Sequence, residues 1–314
     1  MSTLPHRSLG SSGLSVSLFS LGSWRTFERI SREQGVAVMR AAREAGITFL
    51  DDARYNDETG EAPIATGYSE IVFGELFHAA GWVRDEVVVA NKLWWEFWPE
   101  QDAAGELESS LGRMGLDHID LIYTMQPPEG LTIPELVAQV AGLVSSERAR
   151  AWGIGNWPAD ELAEAVRAAR ALGAPLPVAA QLPYSLVRAD WVQDPAMEAV
   201  LADADMGLIA SYVLAGGTLT GKYLHGHSGR ANADDTPAVV AGKLRAAVVV
   251  ELAREWNVSP ASLAFSFALS HQRLASVLFG ATSPEQLREN VASLEVFTSL
   301  DDDQLRRLNA LASS

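Results

Sequence analysis

The chain has 314 residues, 48% apolar and 20% charged, which excludes wholesale disorder and supplies side chains for a large core. It has no cysteine, so disulfides, thiolate metal sites and a cysteine nucleophile are excluded. Lys plus Arg number 24 and Asp plus Glu number 40, and the resulting −16 opposes binding to nucleic acid phosphates or anionic lipid.

The N-terminal stretch lacks a basic segment followed by an unbroken apolar core, so no signal peptide is expected. No apolar run reaches the ~18 residues of a membrane span, and the expected location is the cytoplasm. The segment SLGSSGLSVS carries apolar alternation on both sides of Ser-Ser-Gly and predicts a β-hairpin. After it one rhythm runs through the chain: a short β-branched or apolar run, then an alanine-rich amphipathic helix. Leu18 to Gly22 is the first strand, followed by a helix over Arg32–Ala45 that Gly46 stops. Strand Ile47–Asp51 precedes helix Ser69–Ala80, and strand Val87–Lys92 precedes helix Ala103–Met114. Ile119–Met125 and Pro134–Ser146 form the fourth pair, and Ala149–Ile154 and Asp160–Leu172 the fifth. Val178–Gln181 with Asp194–Asp203 is the sixth. Gly207–Tyr212 with a helix in Thr236–Trp256, and a further helix over Pro260–Ser270, is the seventh. Val277–Gly280 and Pro284–Val296 complete the eighth.

Eight strand–helix units in series, with no linker between them, predict one α/β domain over residues 1–314. The predicted fold is a (β/α)8 TIM barrel preceded by the hairpin. A doubly wound open sheet is the competing architecture, but GxGxxG does not follow the first strand. In such barrels chemistry sits at the C-terminal ends of the strands. Those ends carry Asp51 and Asp52, Lys92, Met125 and Gln126, Gly155 and Asn156, Gln181, and Ser211 and Tyr212. A lysine beside an aspartate in a poorly hydrated mouth forms a buried pair, and a phenol near the ammonium has its pKa lowered. Asp51, Tyr55 and Lys92 fit that description. A structural ion pair at the barrel rim fits them too.

The chain resembles the aldo-keto reductases over nearly its whole length. LGSSGLSVSLFSLGSW is similar to that family's opening hairpin and first strand, GITFLDDARY to the segment with its catalytic aspartate and tyrosine, and VVVANK to the strand that ends in its lysine. GIGNW, AAQLPYSL, LAGGTLTGKY and FGATSPEQLREN follow in the family's order, and the pattern lies nearest the potassium-channel β-subunit branch. The resemblance implies NADPH as cofactor and hydride transfer between nicotinamide and a small carbonyl or alcohol substrate. It implies Tyr55 as proton donor, with Lys92 and Asp51 tuning it. The family's tyrosine falls five residues after the aspartate, a position held here by Asn56, and Tyr68 is the alternative donor.

Met125 stands where the family has a histidine. A thioether cannot donate a hydrogen bond to a carbonyl, so substrate orientation falls to Gln126 or Trp24. The resemblance further implies that Asn156 and Gln181 hold the nicotinamide carboxamide. Gly155 replaces the serine that usually precedes the asparagine, and Ser211 replaces an aromatic that stacks on the nicotinamide, with Tyr212 adjacent. Leu214, Gly217, Leu219, Gly221 and Lys222 match the loop around the pyrophosphate, and Arg230 an arginine near the 2′-phosphate. Gly280, Thr282, Gln286, Glu289 and Asn290 match residues that hold the adenosine. Two of these positions have purely structural readings: Asn156 as the N-cap of the next helix, and Ser283 with Gln286 as a capping box. The tryptophan run after Lys92, including Trp94 and Trp95, predicts an apolar wall of the substrate site, faced by Trp24 and Phe27. The rival reading is a cofactor-binding sensor or partner protein with little turnover, since the channel-associated β subunits also lack the histidine.

Overall fold

The computed structural model describes residues 4–225 and 236–312. The chain opens with β1 (His6–Ser8) and β2 (Ser15–Ser17), an antiparallel pair. Eight parallel strands then close a barrel in the order β10–β3–β4–β5–β6–β7–β8–β9. They are β3 (Phe19–Gly22), β4 (Phe49–Asp51), β5 (Val88–Leu93), β6 (Ile119–Thr124), β7 (Ala149–Gly155), β8 (Ala179–Pro183), β9 (Gly207–Ser211) and β10 (Leu274–Phe279). The first helices are α1 (Arg32–Glu44), α2 (Tyr68–Ala79), α3 (Ala103–Met114), α4 (Ile133–Ser145) and α5 (Ala159–Leu172). Beyond them lie α6 (Asp190–Gln193), α7 (Pro195–Asp203), α8 (Pro237–Trp256), α9 (Pro260–Leu269), α10 (Pro284–Ser299) and α11 (Asp302–Ala312). The predicted TIM barrel with its N-terminal hairpin is thus the observed fold. The short α6 and the terminal α11 are additions to the predicted series.

Local chemistry sets most helix starts. Ser31 and Asp102 accept the Gln34 and Gly105 N–H groups as N-caps, and Thr132 and Glu135 form a complete capping box on α4. At α10 the Ser283 hydroxyl caps the Gln286 N–H as predicted. The return half of that predicted box differs, because Gln286 Oε1 accepts from the N–H and hydroxyl of Thr282, at 3.0 and 2.9 Å.

Strand pleating divides the apolar residues into two cores. Outward residues such as Leu50, Val89, Ile122, Trp152 and Leu208 pack on the helices. Inward residues Phe49, Val88, Ala90, Leu121, Tyr123, Ala179 and Ile209 fill the barrel. Leu9, Leu14 and Val16 of the hairpin join this inner cluster and close the barrel's N-terminal end. The space beneath the strand ends is therefore dry, which conditions every charge placed there.

Candidate active site

The period of two that buries Phe49, Ala90 and Ala179 inward also turns Asp51, Lys92 and Gln181 inward, each two residues further along its strand. Lys92 Nζ donates to Asp51 Oδ1 at 2.5 Å, and Gln181 Nε2 donates to Asp51 Oδ2 at 2.8 Å. The ion pair is closed to solvent, with side-chain exposures of 5% and 2%. Lys92 Nζ also donates to the Tyr55 hydroxyl at 3.2 Å.

Tyr55 reaches this point through a tight local turn. Its N–H donates to Ala53 O at 2.9 Å and to Ser69 Oγ at 3.1 Å, while Gly67 N–H donates to Tyr55 O at 3.1 Å. Asn56 pairs with Thr66, so the acidic loop between them leaves and returns beside Tyr55. Gly67 caps α2 with φ of 80°, a conformation costly for residues with a Cβ. Tyr68, the alternative donor, points elsewhere: its hydroxyl accepts from Arg32 Nη2 at 2.9 Å.

The electrostatics correct one expectation. The Lys92 contact does not set the net direction of the Tyr55 pKa. Burial pushes the phenol well above its ordinary value, and Asp51, Asp52, Glu28 and Glu70 push it further. The phenol therefore keeps its proton at neutral pH. Asp52 is buried as well; the Ser23 hydroxyl donates to its Oδ1, and Oδ2 has no hydrogen-bond partner. Burial, and then the Glu70 charge, hold this carboxyl well above the usual range, against the Ser23 and Ala53 hydrogen bonds and the Lys92 charge. A raised carboxyl stabilises the fold below the unfolded pKa of about 3.9, and that contribution is lost as pH rises towards the folded value. Asp52→Asn is therefore expected to raise the unfolding midpoint at about pH 8 and to change it little at about pH 4. Thermal unfolding at the two values checks this, and a variant destabilised more at the higher pH would contradict it.

Aromatic rings line the mouth. Trp24 is 42% exposed and lies between Tyr55 and Tyr212, with ring centroids 6.5 and 6.3 Å away. The Trp94 ring meets Tyr55 edge-on at 6.0 Å. The rest of the expected wall lies elsewhere. Trp95 is buried behind the barrel and donates its indole N–H to Thr124 Oγ1 at 3.0 Å. Phe27 is buried in the outer core. Gln126 is exposed, and its amide donates to Glu161 Oε2 at 2.8 Å. Met125 and Gly155 fit one another: a Cβ on Gly155 would lie 2.8 Å from Met125 Sδ.

The positions matched to a cofactor spread around the same mouth. Asn156 does not cap a helix, because Pro158 is the N-cap of α5; it is exposed with φ of 59°, and its N–H donates to Gln181 O. Ser211 ends β9, and Tyr212 follows in a left-handed conformation with φ of 58°. Leu214 begins a 3-10 turn in which Leu219 is buried. Gly216, Gly217 and Gly221 there have φ of 68°, 87° and 79°, which only glycine adopts freely. The Lys222 ammonium lies over Gly217, 3.2 Å from where a Cβ would stand. A cation over a glycine turn suits a pyrophosphate. Gly280 approaches Thr26 too closely for a side chain. Thr282 and Gln286 meet at the N-terminus of α10, and Glu289 and Asn290 lie one turn further on, Asn290 buried. A helix start with amide and hydroxyl groups suits an anion and its sugar. These donor sets fit a nicotinamide dinucleotide. Arg230 lies outside the described residues. Among the described residues no cluster of His, Asp or Glu could hold a metal ion, and no helix is long and apolar enough to cross a membrane.

Three residues of the site escaped the sequence reading. Tyr123 lies two before Met125, so period two places it in the barrel. Its hydroxyl is buried without a hydrogen-bond partner, and Lys92 Nζ stands 5.7 Å from its ring. Arg54 and Glu106 form a buried pair behind Tyr55.

The chain is similar to known proteins over most of its length. The family model described as "Aldo/keto reductase family" matches residues 19–313. A "Probable voltage-gated potassium channel subunit beta" of Oryza sativa subsp. japonica is 29% identical, over 99% of this chain and 97% of its own. One of the same description from Arabidopsis thaliana is 26% identical over the same shares. "L-glyceraldehyde 3-phosphate reductase" of Escherichia coli (strain K12) is 32% identical over 94% of this chain and 89% of its own.

Proposed function

The chain belongs to the aldo/keto reductase family, and we propose that it works as an NADPH-dependent carbonyl reductase with Tyr55 as its acid. Its class is that of an oxidoreductase performing nicotinamide-dependent carbonyl reduction. The observation that carries the finer reading is the chain of contacts Asp51–Lys92–Tyr55 at the barrel mouth, at 2.5 and 3.2 Å. NADPH, when bound, supplies a hydride. Asn156 and Gln181 would hold its carboxamide, the turn from Leu214 to Lys222 its pyrophosphate, and Gly280 to Asn290 its adenosine. Arg230 would pair with the 2′-phosphate.

Tyr55 then delivers a proton to the oxygen of the reduced carbonyl. Its high pKa keeps the proton available, and Lys92, donating to the phenolic oxygen, stabilises the phenolate that remains. Trp24, Trp94 and Met125 offer the substrate an apolar wall. Met125 also favours a second reading, an NADPH-binding sensor or partner protein with little turnover, for which the channel-subunit relatives supply the analogy. A panel of small aldehydes and ketones, followed at the cofactor absorbance with NADPH and NADH, separates them. The expected result is turnover with at least one substrate and a preference for NADPH of about ten- to a hundredfold, the size of a charge-assisted contact. Tight NADPH binding with no turnover would select the sensor.

A further inference from the structure

We propose that Arg54 is the positioning residue for the proton donor, tying the loop that carries Tyr55 to the loop that carries Trp94 through Glu106. The proposal rests on the reading of Tyr55 as the acid. The Arg54 side chain is 2% exposed, with Nη1 2.9 Å from Glu96 Oε2 and Nη2 3.3 Å from Glu106 Oε1. Its guanidinium also covers the Phe97 ring at 4.8 Å. Glu106, on α3, is 3% exposed, and its two oxygens accept the Trp94 and Trp95 N–H groups at 2.8 and 3.0 Å. The Trp94 ring in turn meets the Tyr55 ring. The contacts close a circuit: the Tyr55 backbone, Arg54, Glu106, the Trp94 backbone, the Trp94 ring and the Tyr55 ring.

This circuit answers a geometric need of the chain. Tyr55 leaves the barrel on a turn only four residues beyond Asp51, and its hydroxyl must still meet Lys92. Ser69 and Gly67 hold the backbone from the α2 side. Arg54 and Glu106 hold it from the α3 side. An apolar pair of similar volume would stabilise the fold at least as well as a buried ion pair. A planar guanidinium against a carboxylate adds direction, and direction is what a proton donor requires. The Arg54 Nε and Nη1 are buried without a hydrogen-bond partner, a cost that an apolar side chain there would avoid.

The test uses Arg54→Met/Glu106→Gln, which leaves no unpaired charge buried, alongside Arg54→Lys and Tyr55→Phe. The expected result for the double variant is a kcat lower by about 10²-fold, the loss that follows an ångström of misplacement. NADPH affinity should stay close to wild type, while the unfolding midpoint falls, because glutamine offers one oxygen to the two N–H groups that Glu106 accepts. Arg54→Lys should recover part of kcat, since it keeps the charge and loses the fork. A double variant with wild-type kcat, beside an inactive Tyr55→Phe, overturns the proposal and leaves Tyr55 as the acid. Losses of kcat and NADPH affinity in step reduce Arg54 to a structural residue and also overturn it. An active Tyr55→Phe removes the reading on which the proposal stands.

Discussion

Lys92→Met is expected to lower kcat by about 10²- to 10⁴-fold, the range that a positioned general acid contributes. Lys92 Nζ is the group that donates to the Tyr55 hydroxyl, at 3.2 Å. Four carboxyl groups, Asp51, Asp52, Glu28 and Glu70, oppose the phenolate that forms once Tyr55 gives up its proton. Without the ammonium, the hydroxyl loses the cation that donates to it and favours its anion. The substitution also strands Asp51, 2% exposed, with only the Gln181 amide as partner. Breaking a buried pair on one side costs about 3–5 kcal/mol, so stability will fall as well. Lys92→Met/Asp51→Asn separates the effects, since it removes both charges. The double variant should regain most of the unfolding midpoint and none of the turnover. Wild-type kcat in either variant would show that Tyr55 is not activated through Lys92.

The barrel was legible because its evidence repeats. Each strand buries alternate residues in one of two dry spaces, so β-branched runs and amphipathic helices recur through the chain. The same alternation put Asp51, Lys92 and Gln181 on the inner face. What the sequence hid lies where that period stops. Trp94 and Trp95 follow the end of β5, and backbone hydrogen bonds to Glu106 turn one towards Tyr55 and the other into the core. Arg54 and Glu106 stand 52 residues apart and read separately as solvated charges. The Tyr55 pKa escaped for a related reason. A nearby lysine suggests a lowered value, but the sign depends on burial and on Asp52, Glu28 and Glu70, which only the fold gathers.

Met125 and Gly155 show the same limit and lead to the second large expected effect. In sequence they are two unrelated departures from the family pattern. In the fold they are one packing unit, because the thioether sits where a Cβ of residue 155 would be, 2.8 Å from it. Met125→His introduces a donor for the carbonyl oxygen, and one well-aimed donor in such a site is worth roughly 10² to 10³ in rate. The single variant should gain less. A shorter ring leaves the space beside Gly155 unfilled, and no neighbour fixes its orientation. Gly155→Ser alone forces Met125 from its place; the sulfur is the mobile end of a flexible side chain, so the protein should fold with an altered pocket. Met125→His/Gly155→Ser fills the space with a hydroxyl that can hold the imidazole. Turnover of small aldehydes should therefore rise more in the double variant than the two single changes predict together, with a coupling of about 0.5–3 kcal/mol for residues in contact. Full kinetics of the four proteins of the cycle measure that coupling. Additive effects would mean that the two positions act independently. A double variant that binds NADPH and reduces no aldehyde would show that histidine is not what the site lacks, and the sensor reading would take precedence.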